Sequence, residues 1–244
     1  MRSLLAPLIF ILTLILSQVC DAQDRPATIV GAAIRSRPAY DGSSSQVTDL
    51  IPQLRYYGKL WFARTTQGIL EGGIRNELAP EFWAGAQIAY EAGRKKSEAP
   101  FLETLGEPDI KTSASVGLHL EWDRHFGKMP VNFLIRARQN FDTDLGGQAD
   151  LRINFGVFER WGLQGAVFGQ STWGSGNAMQ SRYGTDKSGL VYLSGGFLAG
   201  YDVTRHWLIV GSFEIRKLYD EAADSVVAER ATSRYYSGGL AYRF

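Results

Sequence analysis

His119 and Glu121 stand two positions apart in a segment of strict alternation, with Ser113 and Ser115 on the same side and Arg136 and Arg138 in the next segment. A histidine between a carboxylate and a serine hydroxyl is the arrangement that activates an oxygen nucleophile, and the chemistry would be ester or phospholipid hydrolysis. No His-x-Ser pair shares a face, however, and no nucleophile elbow leads into a helix. A second role fits these positions better. With Arg55, Glu71, Arg75, Asp150, Arg152, Glu214 and Arg216 they form a set of inward charges of mixed sign, able to pair across neighbouring strands and fill a narrow interior. No catalytic residue, metal or cofactor is expected: His125 on a turn and Met179 in a loop make no ligand cluster.

The elements that must position this ladder are strands. From Ser113 to Asp123, every large apolar side chain (Val116, Leu118, Leu120, Trp122) falls on one face, and the polar residues fall on the other. The same period of two runs through Val131 to Arg138, Ala149 to Phe158, Val191 to Asp202 and Trp207 to Arg216, placing Phe158 on the polar face and Val191 on the apolar one. About twelve strands result: 28–40, 48–57, 60–65, 68–78, 81–92, 111–123, 129–140, 147–158, 161–172, 190–203, 206–217 and 234–244. Most reach the ~9–11 residues that a tilted strand needs to cross a bilayer.

The links between them alternate between long and tight, with the Thr66-Gln67 link as the one exception. Long loops on one rim, short periplasmic turns on the other and an even strand number describe an all-β, antiparallel, up-and-down transmembrane barrel. In hydrocarbon every backbone polar group must be paired internally, so strands span only as a closed sheet. Closure also accounts for the composition. Mean hydropathy is −0.15 because only alternate residues face lipid. The 27 glycines among 244 residues exceed the ~7% usual in globular chains and relieve crowding in a curved wall. Trp122, Trp161, Trp173, Tyr201 and Trp207, near strand ends, suit interfacial girdles. A net charge of +1 without a basic stripe excludes a nucleic-acid partner.

At the start, Arg2, the apolar run Leu4–Leu16 and the small residues of Cys20-Asp21-Ala22 read as a secretory signal peptide over residues 1–22, cleaved after Ala22. Residues 23–244 then form a single barrel domain without cysteine. At the other end, Tyr236, Gly238, Leu240, Tyr242 and Phe244 share one face, a terminal aromatic strand like the one read by the outer-membrane assembly machinery. The run Arg94-Lys95-Lys96 with Glu98 and Glu103 reads as a solvated loop, with contact to lipopolysaccharide phosphate as the functional alternative.

Three segments carry a family likeness. Val30-Gly31 is followed by Arg37-Pro38-Ala39-Tyr40-Asp41-Gly42-Ser43; Leu218 to Val227 contains Ala222-Ala223-Asp224-Ser225; and the chain ends Ser237-Gly238-Gly239-Leu240-Ala241-Tyr242-Arg243-Phe244. In these segments, their order and the length, the chain resembles the MipA/OmpV family of Gram-negative outer-membrane proteins. The loop from Glu103 to Asp109 departs from the family in its charge and proline. The resemblance implies a non-enzymatic scaffold in the outer membrane that brings a murein hydrolase together with a murein synthase. A small-solute porin is the alternative, and a lipid hydrolase a more distant one.

Overall fold

The alternation of apolar and polar residues closes into a ring. The computed structural model describes residues 28–127 and 129–244, so the signal-peptide reading of residues 1–22 lies outside the described residues. Twelve antiparallel strands follow one another around a closed barrel: β1 (Ile29–Pro38), β2 (Gln46–Tyr57), β3 (Trp61–Thr66), β4 (Ile69–Ala79), β5 (Phe82–Glu91), β6 (Ser113–Phe126), β7 (Met129–Asn140), β8 (Gly147–Arg160), β9 (Leu163–Gly174), β10 (Gly189–Asp202), β11 (Trp207–Leu218) and β12 (Thr232–Arg243). The first and last strands complete the ring, with Ile29 opposite Arg243 and Ser36 opposite Tyr236. At this seam Gly31 and Gly239 are required. A Cβ on Gly31 would stand 2.3 Å from the Leu240 carbonyl oxygen, and one on Gly239 2.3 Å from that of Ala32.

Neighbouring residues show which solvent each face meets. Leu118 is 68% exposed on the outside of the wall, whereas His119 beside it is 2% exposed on the inside. Leu50, Ile34, Ile88 and Ile135 continue the outer apolar band. Lipid satisfies such a band at roughly 25 cal/mol per Å² removed from water, while the sheet leaves no edge to solvate. No helix among the described residues is long and apolar enough to cross a membrane.

The turns at Gln67-Gly68 and Trp161-Gly162 have positive φ at both residues. This is the two-residue geometry whose twist matches that of paired strands. Two features depart from strict alternation. Between Gly156 and Phe158 the register with β9 slips, so Phe158 joins the exposed outer face rather than the polar one. At the start of β10, Val191 and Tyr192 are both buried. Both pack beneath the long loops rather than against lipid.

Those loops are folded. They contain α1 (Pro100–Leu105), α2 (Gly176–Tyr183) and α3 (Asp220–Ala223), none of which the alternation signals. Leu102, Met179, Tyr183, Ala222 and Val227 join Ala39, Val191 and Leu218 in one buried apolar cluster. The long-loop rim therefore carries its own small core above the barrel.

Candidate functional site

The inner face is a cross-linked polar network centred on Glu71. From β4 this carboxylate accepts hydrogen bonds from Arg64 Nε at 2.6 Å, Gln87 Nε2 at 2.7 Å and Arg136 Nη1 at 2.7 Å. The Arg136 guanidinium also holds Asp150 through Nε and Nη2, at 2.9 and 2.8 Å. Asp150 accepts Thr172 as well, and Arg138 bridges Asp150 to Glu91. Because β4 and β7 are separated by two strands, the Arg136–Glu71 bond crosses the lumen instead of following the wall. Arg64 to Glu121, from β3 to β6, crosses it again.

Higher up, Arg216 donates to both oxygens of Asp41 and to Glu214, and the Tyr235 hydroxyl donates to Asp41. The β3–β4 hairpin turns inward here: Gln67 Nε2 reaches Glu214 at 3.1 Å, and Arg35 donates to the Gln67 carbonyl. Arg35 and Arg37 also share Asp49. These upper pairs are half-buried, whereas Arg136 with Glu71 and Asp150 is fully buried, and removing one partner of a buried pair strands the other.

All eleven inward charges named from the sequence lie on this face. Ten are buried and Arg216 is half-buried. Arg64, Arg35, Asp49 and Gln67 were not among them. Arg64 was legible, since Phe62, Arg64 and Thr66 alternate on one face of β3, but the shortness of that strand obscured its register.

The histidine does not form a catalytic pair. Neither ring nitrogen of His119 has a hydrogen-bond partner, and the ring meets Phe62 edge-on at 5.0 Å. Ser115 donates instead to Glu91, and Ser113 accepts from Asn140.

The first two family-like segments meet on the long-loop rim. Pro38 is buried at the end of β1, and Gly42 packs under Ala228. The Tyr40 hydroxyl donates to the Val227 carbonyl, while Glu229 accepts from Ser43, Ser44 and Tyr40. Burial and the Glu229 charge push the Tyr40 hydroxyl up to about 12. Partial burial opposes ionisation of Glu229, but its hydrogen bonds from Ser44, Tyr40 and Ser43 outweigh this and hold it below the ordinary carboxylate range. In the second segment Ala222 is buried, Ala223 packs against the loop core, Asp224 ends α3 and Ser225 donates to the Tyr183 carbonyl. Arg94 is not a solvated charge: it is buried, bound to Glu107 and to the Arg182 carbonyl.

On β12, Tyr236, Leu240 and Tyr242 face outward; Tyr242 packs edge-on against Trp207 and Phe244, and the Phe244 amide donates to the Thr28 carbonyl.

Cavities open inside the described part of the barrel. An upper one of about 200 Å³ is lined by Arg37, Asp41, Arg94, Arg138 and Tyr183. A lower one of about 180 Å³ is lined by Ile29, Arg55, Glu121, Arg152, Phe168 and Leu208. Arg35, Gln67 and Tyr235 border both.

The family profile described as MltA-interacting protein MipA matches residues 30–244. Among solved structures, the chain is similar to the COG4313 outer membrane channel from Pseudomonas putida F1, at 12% identity and a TM-score of 0.54, covering 92% of this chain and 97% of that one. LpxR from Salmonella typhimurium is similar at 9% identity and a TM-score of 0.46, covering 88% and 100%. Outer membrane phospholipase A from Escherichia coli is similar at 12% identity and a TM-score of 0.38, covering 88% and 92%. At 12% identity the likeness to the channel is one of fold. No curated protein matches by sequence.

Proposed function

The chain belongs to the MipA family, and from that premise we propose that this outer-membrane barrel is a non-enzymatic scaffold, offering its rims to murein-remodelling partners, a hydrolase and a synthase. The family description names an interaction with MltA, and one structural observation carries the reading: Arg136 and Glu71 join across the lumen at 2.7 Å. A conduit so obstructed leaves the rims as the working surfaces. The long-loop rim has a packed core that holds its shape, and the opposite rim presents short turns to the periplasm, where murein lies.

Residues 1–22 serve as the export signal in this reading, residues 23–244 as the mature barrel, and the face of Tyr236, Leu240, Tyr242 and Phe244 as the mark for the assembly machinery. N-terminal sequencing of the outer-membrane protein should begin at Gln23. Crosslinking in intact envelopes followed by purification of the barrel should recover a murein hydrolase; substitution of the periplasmic turn at Trp161-Gly162 or at 203–206 should reduce recovery. Recovery of the barrel with no murein enzyme would overturn the proposal.

The alternative, a small-solute channel, is favoured by one feature: the two cavities share Arg35, Gln67 and Tyr235 as a common border. Planar-bilayer recording separates the readings, since steady unitary currents belong to a channel and silence to a scaffold.

A further inference from the structure

Charge in the lower cavity does not balance. Its wall contains four arginines, Arg35, Arg55, Arg64 and Arg152, and two acids, Glu121 and Glu214. Arg35 is neutralised by Asp49, Arg64 by Glu71 and Glu121, and Glu214 is held by Arg216. Arg55 and Arg152 have no carboxylate partner among the described residues. The position of Arg55 is the more demanding. It is buried, it stands directly opposite Arg64 in the strand register, and none of its three guanidinium nitrogens has a hydrogen-bond partner. The Tyr57 ring lies 5.7 Å away, and no carboxylate comes close enough to pair with it among the described residues. Arg152 engages Asn154 and Gln170 through Nε and Nη1, and Phe168 stacks under its guanidinium at 3.8 Å.

A desolvated cation without a counter-charge is expensive to maintain, and the fold could have avoided this one with an apolar residue. Beside these charges the wall has neutral polar groups, among them Gln53, Thr65, Asn132 and Ser212, and a broad apolar part made by Ile29, Ile51, Leu134, Phe168, Leu198 and Val210. Pockets for small organic molecules have this character: an apolar lining and a few polar groups that orient the ligand. Guanidinium groups take carboxylates through two parallel hydrogen bonds.

We infer that the lower cavity is a binding site for a small organic carboxylate with an apolar body, its head group set by Arg55 and Arg152 and its body against Ile51, Leu134, Phe168 and Val210. The cavity runs from the β3–β4 hairpin tip at Gln67-Gly68 down to the turn rim, where Ile29, Leu208 and Ala241 form part of its wall, so its ligand would be drawn from the periplasmic side. It does not depend on the scaffold reading, because it concerns the interior and not the rims.

The test is calorimetric titration and thermal melting of the full barrel, folded in detergent, with three probes: benzoate, its neutral counterpart benzyl alcohol, and inorganic phosphate. Benzoate should bind and raise the melting temperature, as any ligand specific for the folded state must. Benzyl alcohol should do neither, and phosphate should bind at least tenfold more weakly than benzoate. Arg55→Gln and Arg152→Gln should each weaken benzoate at least tenfold, with folding checked by gel mobility before and after boiling. Equal responses to benzoate and benzyl alcohol, phosphate as tight as benzoate, or benzoate binding unchanged in both variants would overturn the inference. If Arg55→Gln does not fold, the three-probe comparison on the unmodified barrel and the Arg152→Gln variant decide it.

Discussion

The Tyr40 hydroxyl donates a hydrogen bond of 2.9 Å to the backbone carbonyl of Val227, which lies 187 positions further along the chain. Two loops that flank the seam between β1 and β12 are thereby tied together on the long-loop rim, with Glu229 accepting from Ser43, Ser44 and Tyr40 beside them.

This clamp should depend on pH at both extremes. The folded-state Glu229 carboxyl titrates below its ordinary value of 4.5, so its contribution is complete above about pH 4.5 and disappears as pH falls through the depressed value. Tyr40 is raised from 10.0 to about 12; its contribution is complete below pH 10 and is lost as pH rises toward 12. Protection of the amides in residues 39–45, measured against their intrinsic exchange rates, should fall at acid pH, and Glu229→Gln should remove the acid dependence.

Breaking the central network should destabilise the barrel strongly. Arg136→Met leaves Glu71 and Asp150 without their shared cation, and the expected loss is about 3–5 kcal/mol. Replacing Glu71 with Leu in the same protein should recover part of that loss, since one of the stranded charges is removed with it. Urea unfolding in vesicles, followed by tryptophan fluorescence, measures both.

The border between the two cavities should act as a partition. Arg35→Ala combined with Gln67→Ala removes the groups that fix the hairpin tip against β1 and β11. Planar-bilayer recordings should be silent for the unmodified barrel and show small steady currents for the double variant.

Phe244→Ala should lower the yield of protein inserted in the outer membrane while leaving the melting of inserted molecules nearly unchanged. Its ring is 71% exposed on the outer face, and its backbone bond to Thr28 survives the substitution. Fractionation of envelopes, with melting of the purified barrel as the control, distinguishes assembly from stability.

The wall of the barrel was legible in the sequence because one physical rule, a face for lipid and a face for the lumen, repeats in every strand. Hence Leu118 and His119 are assigned to opposite sides without any structure. The rule fails where a second environment intrudes. Val191 and Tyr192 are both buried because the loop core covers that end of β10, and Phe158 changes sides at a bulge. It also says nothing about which inward charges meet. Arg136 and Glu71 are 65 positions apart and on strands that are not paired with each other, so only the curvature of the closed ring brings them into contact. Arg55 looked like any other member of the ladder, and its lack of a partner is visible only once every neighbour has been assigned.

The seam between β1 and β12 also sets the order of events in time. A strand near the beginning of the chain waits for one at its end, and contacts so distant in sequence form slowly. Until they form, every arc of the sheet has two unpaired margins that lipid cannot satisfy, so no fragment has a stable resting state in the membrane. Meanwhile Ile34, Leu50 and Leu118 must be kept from water and from one another. The protein is therefore most vulnerable to aggregation before its final dozen residues are in place, and truncation near the C-terminus should yield no inserted protein rather than a smaller barrel.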